Sequence, residues 1–140
     1  MSVWLLDASV LLASEDPDDE NHEDSLWLLS CPDPLATLDL AFYEVTNVAV
    51  CAWRDLPAAV RLGERVDALI ADGGVIRADR ALLADAALIA EAEGVSVYDA
   101  AYVAAARRCS GQLVSCDVRD LVSRGLARLP GSLRTAAPDT

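Results

Sequence analysis

Two short apolar runs each stop at an aspartate, and this arrangement restricts the fold more than any other feature of the chain. Val3-Trp4-Leu5-Leu6 ends in Asp7 and passes at once into Ala8-Ser9-Val10-Leu11-Leu12-Ala13; Gln112-Leu113-Val114-Ser115-Cys116 ends in Asp117. Apolar runs of this length read as strands covered on both faces, the condition of a parallel sheet. In open α/β sheets ligands bind at the carboxyl edge of the strands, where these two acids would stand. Between the runs the pattern predicts a second strand over 35–38 and a long apolar helix over 39–53. It also predicts a helix beginning at Pro57 and stopped by Gly73, and another over 81–93 ending at Gly94. Val95-Ser96-Val97 continues the strand-then-helix rhythm into an Ala-rich helix over 100–108. A short helix over 117–124, capped by Gly125, and an edge strand over 126–129 complete the expectation. Alternation of this kind defines the α/β class with a mainly parallel sheet.

Length suits one domain: the 140 residues can close a single core, expected over 1–134, with 135–140 expected to fray. With 54% apolar and 24% charged residues, the composition excludes a disordered chain. The longest stretch without a charged side chain, 45–53, is far below the roughly 18 residues a membrane helix needs. Residues 1–7 reach an acid too early for a signal peptide, so a cytoplasmic location with no membrane partner is expected. Cys31, Cys51, Cys109 and Cys116 form no CxxC pair and are expected reduced; with His22 the only histidine, a structural zinc site is improbable. Neither GxGxxG nor GxxxxGK[ST] occurs.

Charge is unevenly spread. The net charge is −12, all 11 basic residues are Arg, and none precedes Arg54. A surplus of acids argues against broad affinity for polyanions. Four of the acids occupy positions where a charge is costly: Asp7 and Asp117 close strands, Asp99 opens the Ala-rich helix, and Glu44 interrupts the apolar helix over 39–53. Asp7 could cap the helix after it, a role worth about 1 kcal/mol. Asp99 fits a capping box with Ser96, and Asp117 and Asp120 could serve as N-cap and first-turn acid. For Glu44 no such role suffices: a carboxylate on a buried helix face costs several kcal/mol unless paired or metal-bound, and no Arg lies within a turn. On the helical wheel it shares a thin polar stripe with Asn47, Val48 and Cys51. Four converging carboxylates without a nearby His or Lys suit a hard cation, Mg²⁺ or Mn²⁺. Such ions bind phosphates, and paired ions are a device for phosphodiester hydrolysis.

These residues also resemble a family. Asp7-Ala8-Ser9 after a first strand, Tyr43-Glu44-Val45-Thr46-Asn47-Val48, Val97-Tyr98-Asp99-Ala100-Ala101-Tyr102, and Leu113-Val114-Ser115-Cys116-Asp117 are similar in order and spacing to the PIN domain, more narrowly to VapC toxins. The resemblance implies a three-layer α/β/α fold with a central, mainly parallel sheet of four or five strands. It implies an Mg²⁺- or Mn²⁺-dependent endoribonuclease using a metal-activated water, commonly a homodimer, silenced by a small cognate antitoxin. Matched residue by residue, Asp7, Glu44, Asp99 and Asp117 are the catalytic, metal-holding acids. Ser9 and Asn47 match small polar residues that orient acids or waters, Ser115 replaces a Thr, and Asp120 lies where some members carry a further acid.

Other classes fit less well. A phosphoacceptor receiver needs a Lys, which the chain lacks, and a haloacid-dehalogenase-type phosphatase needs an acid where Ser9 stands. The remaining competitor is a catalytically inactive PIN-like module that sequesters a partner; metal titration separates the two. Arg107, Arg108, Arg119, Arg124 and Arg128 are the expected RNA contacts. Trp27, Leu28, Leu29 and Trp53 read either as an exposed antitoxin surface or as core, and the acidic segment 15–24 has no catalytic explanation.

Overall fold

The computed structural model describes residues 3–71 and 74–136. Strands Trp4–Leu6 (β1), Leu35–Leu38 (β2), Gly74–Ile76 (β3) and Gln112–Val114 (β4) form one parallel sheet in the order β3-β2-β1-β4. Parallel neighbours require crossovers, and the helices supply them: Ala8–Glu15 (α1), His22–Leu29 (α2), Leu40–Asn47 (α3), Leu56–Ala68 (α4), Arg80–Glu93 (α5), Val97–Arg108 (α6) and Pro130–Ala136 (α7).

The strands alternate their apolar side chains between two cores. Leu6, Leu35 and Val114 face a cluster with Val10 and Leu11 of α1, Leu28 of α2, Val45 of α3, Leu62 of α4 and Leu133 of α7. Leu5, Ala36, Leu38 and Leu113 face the opposite cluster, built by Leu82 and Ala86 of α5 and the alanines of α6. Both faces being covered, the architecture is the expected three-layer α/β/α, and the continuous apolar runs follow from it. Every residue from Ala100 to Ala106 is buried, so α6 is apolar around its whole circumference and lies between the sheet and α5.

Several elements depart from the sequence expectation for local reasons. Val95-Ser96-Val97 forms no strand: Ser96 Oγ accepts the Asp99 N–H at 3.0 Å and caps α6, which begins at Val97. The helix over 39–53 ends as α-helix at Asn47 and continues as a π-helical turn, Val48–Ala52, closed by Trp53 N–H to Val48 O at 2.9 Å. Residues 117–124 contain a second π-helical turn, Val118–Val122. The edge strand expected over 126–129 reduces to one bridge, Val114 with Arg128, because Pro130 opens α7 immediately afterwards. β3 was not expected; its half-buried Gly-Val-Ile carries little pattern of its own and is defined by pairing with β2. Gly73, expected to stop α4, lies outside the described residues. Of the expected tail, residues 135 and 136 close α7, and 137–140 are outside the description.

The acidic segment acquires structural roles. Glu15 holds Arg61 and Arg65 of α4, ending α1 in a two-arginine clamp. Asp16 and Asp19 accept the N–H groups two residues on, forming Asx turns, and Asp24 pairs with Arg134 of α7 at 3.2 Å. Leu28 is fully buried, and Trp27, Leu29 and Trp53 are partly buried against the same core.

Candidate metal centre

Strand order reverses beside β1: the chain proceeds from β1 to β2 to β3 on one side and returns with β4 on the other. The crevice between the carboxyl ends of β1 and β4 is the switch point at which such sheets bind ligands. Asp7 leaves β1 there, and Ser115 and Asp117 follow β4.

Asp7 is only 6% exposed. Its extended backbone, φ −88° and ψ 177°, makes it the N-cap of α1, and Oδ1 accepts the N–H of Ser9 at 3.0 Å and of Val10 at 3.4 Å. Ser9 Oγ donates to the same oxygen at 2.5 Å, accepts the Cys116 N–H at 2.9 Å, and lies 3.4 Å from Ser115 Oγ. Ser115 Oγ in turn accepts the Asp117 N–H at 3.0 Å. The two serines therefore link the acids of β1 and β4 in one hydrogen-bonded chain. Burial pushes Asp7 up to about 6, against the lowering effect of the Ser115, Ser9 and Val10 hydrogen bonds, and the Glu44 charge pushes the same way as burial.

Glu44 projects from α3 toward α6, where Tyr102 Oη donates to its Oε1 at 2.6 Å. Burial raises the Glu44 carboxyl, the phenol lowers it, and the Asp99 charge raises it. Asp99 stands in the first turn of α6; burial and then the charges of Asp117 and Asp120 raise its carboxyl. Asp117 caps the second π-helical turn by accepting the Asp120 N–H at 3.0 Å. One carboxylate oxygen from each of Asp99, Asp117 and Asp120 falls within 4.8 Å of the others. Asp120, secondary on sequence grounds, thus stands beside Asp99 and Asp117. Asn47 lies one turn beyond Glu44 at the exposed surface, lining an apolar hollow of about 500 Å³ with Phe42, Tyr43 and Val50.

Among the described residues, no Arg lies within ion-pairing distance of Asp7, Glu44, Asp99 or Asp117, and only Arg119 approaches the cluster, 3.7 Å from Asp120. These carboxylates, with Asp7, Glu44 and Asp99 each raised first by burial and further by a neighbouring acid, form an all-oxygen donor set that fits Mg²⁺ or Mn²⁺ and lacks the nitrogen or sulfur that Zn²⁺ prefers. The residue the sequence reading missed is Tyr102. Its signal was present: a tyrosine among the alanines, three residues after Asp99, must find a partner for its hydroxyl once buried.

The expected arginines separate. α6 starts at the site with Asp99 and runs away from it, so Arg107 and Arg108 lie roughly 12 Å further along the axis at about 1.5 Å per residue. Arg108 is bound to Asp79, Arg124 donates to the Glu93 carbonyl at 2.6 Å, and Arg107 and Arg128 line a hollow of about 250 Å³ beside the opposite end of β4. Arg119, almost fully exposed, is the one of the five that adjoins the acids.

Comparison with known proteins agrees with this geometry. Residues 4–124 match the PIN domain family. Ribonuclease VapC3 of Pyrobaculum aerophilum is 31% identical over 119 residues, spanning 81% of this chain and 88% of that protein. The fold superposes on Mycobacterium tuberculosis VapC20, a sarcin-ricin loop cleaving toxin, with a TM-score of 0.71 at 19% identity, over 90% of this chain and 98% of that one. A toxin–antitoxin complex from Klebsiella pneumoniae gives 0.66 at 13% identity, covering 90% and 96%. No described helix is long and apolar enough to cross a membrane.

Proposed function

Because the chain belongs to the PIN domain family and is of VapC type, we propose that it is a metal-dependent endoribonuclease, the toxin of a toxin–antitoxin pair. The observation that carries the reading is the convergence of Asp99, Asp117 and Asp120 within 4.8 Å, coupled by charge through partly buried Glu44 to buried Asp7, with no Arg among the described residues paired to four of the five. Such repulsion is tolerated when a cation resolves it. Asp7, Glu44, Asp99 and Asp117, joined by Asp120, would hold Mg²⁺ or Mn²⁺; when bound, the ion supplies Lewis acidity that lowers the pKa of a water and polarises a phosphodiester.

The chain's own groups define the rest. Ser9 and Ser115 hold Asp7 in one orientation and tie it to Asp117. Burial and the Asp7 charge push the Cys116 thiol up to about 12, which disfavours the thiolate a nucleophile needs. His22 is engaged with the Ala13 carbonyl at 2.7 Å, so neither group competes with hydrolysis. Arg119 offers a first phosphate contact. The likeness to a toxin–antitoxin complex supports an antitoxin partner for this chain as well, and a homodimer is part of the proposal.

Incubation of total cellular RNA with the purified protein tests the reading. Cleavage with Mg²⁺ or Mn²⁺, lost in chelator and in Asp7→Asn or Asp99→Asn, is the expected result; full cleavage by either variant rejects it. An inactive sequestering module would leave RNA intact and take up neither ion. Growth arrest on expression alone, relieved by co-expressing the neighbouring small reading frame, tests the toxin role.

A further inference from the structure

We infer that Tyr102 is a positioning residue that selects which oxygen of Glu44 is presented to the metal centre. The inference rests on the metal-dependent reading above. Tyr102 is 2% exposed, and its hydroxyl donates to Glu44 Oε1 at 2.6 Å. The backbone N–H of Ala8, the residue directly after Asp7, acts on the same phenol from α1. A phenol has one proton to donate, and here it is committed to Glu44. The hydrogen bond thereby ties α3, through Glu44, to α6, which also carries Asp99.

Glu44 is only partly buried and reaches the site over three rotatable bonds, so nothing on α3 itself determines how its carboxylate is turned. The phenol does. With Oε1 held by Tyr102, Oε2 is the oxygen that engages no donor among the described residues, and Glu44 would meet a cation through one oxygen in a preset direction. Ligand carboxylates held in this way by a hydrogen-bonded neighbour bind metal more tightly, by roughly 10- to 100-fold. Asp7 has Ser9 and Ser115 for the same purpose, and Asp117 has its place at a cap; Tyr102 is the corresponding support for Glu44.

The test is Mn²⁺ binding to the full chain, read by electron paramagnetic resonance up to millimolar ion, for wild type, Tyr102→Phe, Glu44→Gln and the double variant, each checked by circular dichroism. Tyr102→Phe is expected to bind Mn²⁺ about tenfold more weakly, Glu44→Gln more weakly still, and the double variant like Glu44→Gln alone, because Tyr102 acts through Glu44. Unchanged binding by Tyr102→Phe overturns the inference. So does an equal further loss when Tyr102→Phe is added to Glu44→Gln, which would mark a role in folding alone. Wild-type binding by Glu44→Gln overturns it while leaving the aspartate centre intact; absence of Mn²⁺ binding by the wild type overturns both readings. Should Tyr102→Phe not fold, Glu44→Asp keeps the charge but withdraws the carboxylate from the phenol: a comparable loss is expected, and wild-type affinity would overturn the inference.

Discussion

Replacing Asp7 with Asn should abolish activity and yet stabilise the metal-free protein. Asp7 is held up to about 6, against 3.8 for an unperturbed aspartate, chiefly by burial. The folded chain therefore binds this proton more tightly than the unfolded chain. The carboxyl's favourable contribution is complete below about pH 4 and is lost as pH rises through about 6; above that, burying the charge costs about 3 kcal/mol, from roughly two pH units at 1.36 kcal/mol each. Asparagine caps a helix as well as aspartate does and keeps an oxygen for the N–H groups of Ser9 and Val10, so removing the charge forfeits little. For a domain of this size 1 kcal/mol corresponds to roughly 3 °C. Thermal melts at pH 7.5 in chelator should place Asp7→Asn about 10 °C above wild type; the gap should close near pH 4 and shrink when Mn²⁺ is added to the wild type. A variant that melts at or below wild type at pH 7.5, or a gap that persists at pH 4, would refute the reasoning.

Other perturbations read other parts of the molecule. A Cβ at Gly111 would stand 2.6 Å from the Val3 carbonyl oxygen, so Gly111→Ala should lower stability by about 1–3 kcal/mol in a denaturant titration. Asp120→Asn should weaken Mn²⁺ binding about tenfold by the same resonance assay, comparable with Asp117→Asn, if it belongs to the cluster rather than to a cap. Arg119→Glu should reduce kcat/KM for RNA cleavage about tenfold and flatten its salt dependence, whereas Arg107→Glu, beside the far end of β4, should change neither; equal losses in both would argue for a diffuse RNA footprint.

The parts of this fold that could be read from sequence are those whose signal is local. β1, β2 and β4 announced themselves as apolar runs, α5 by its Gly94 stop, and the acids by their cost at strand ends. What escaped was decided by partners distant in the chain. β3 has three residues and takes its identity from β2; the bridge at Arg128 replaces a strand because Pro130 cannot continue one. The two π-helical turns differ from α-helix by one residue per hydrogen bond, a shift that no periodicity over five positions resolves. At the site, Asp7, Glu44 and Asp99 were legible because each breaks an apolar pattern. Asp120 was ranked low because at a helix start an acid is unremarkable; proximity to Asp99, 21 positions earlier, is a tertiary fact. Arg107 and Arg108, expected among the RNA contacts, stand at the far end of α6 from Asp99, because closeness in sequence along a helix is not closeness in space.

The alanines of α6 set a dimension as well as a core. From Ala100 to Ala106 only Tyr102 and Val103 exceed alanine in size, so the helix packs into the core it shares with the sheet largely through methyl groups. Asp99 and Tyr102 ride on that helix, while Asp7 and Asp117 ride on the sheet. The gauge of the candidate metal centre is therefore written partly in these alanines: a valine at Ala101 or Ala105 is expected to act as a shim, lifting α6 and spreading the carboxylates. Such substitutions should register as lost ion affinity at a cost in stability that the fold can absorb, which makes this helix a place where activity can be tuned by thickness alone.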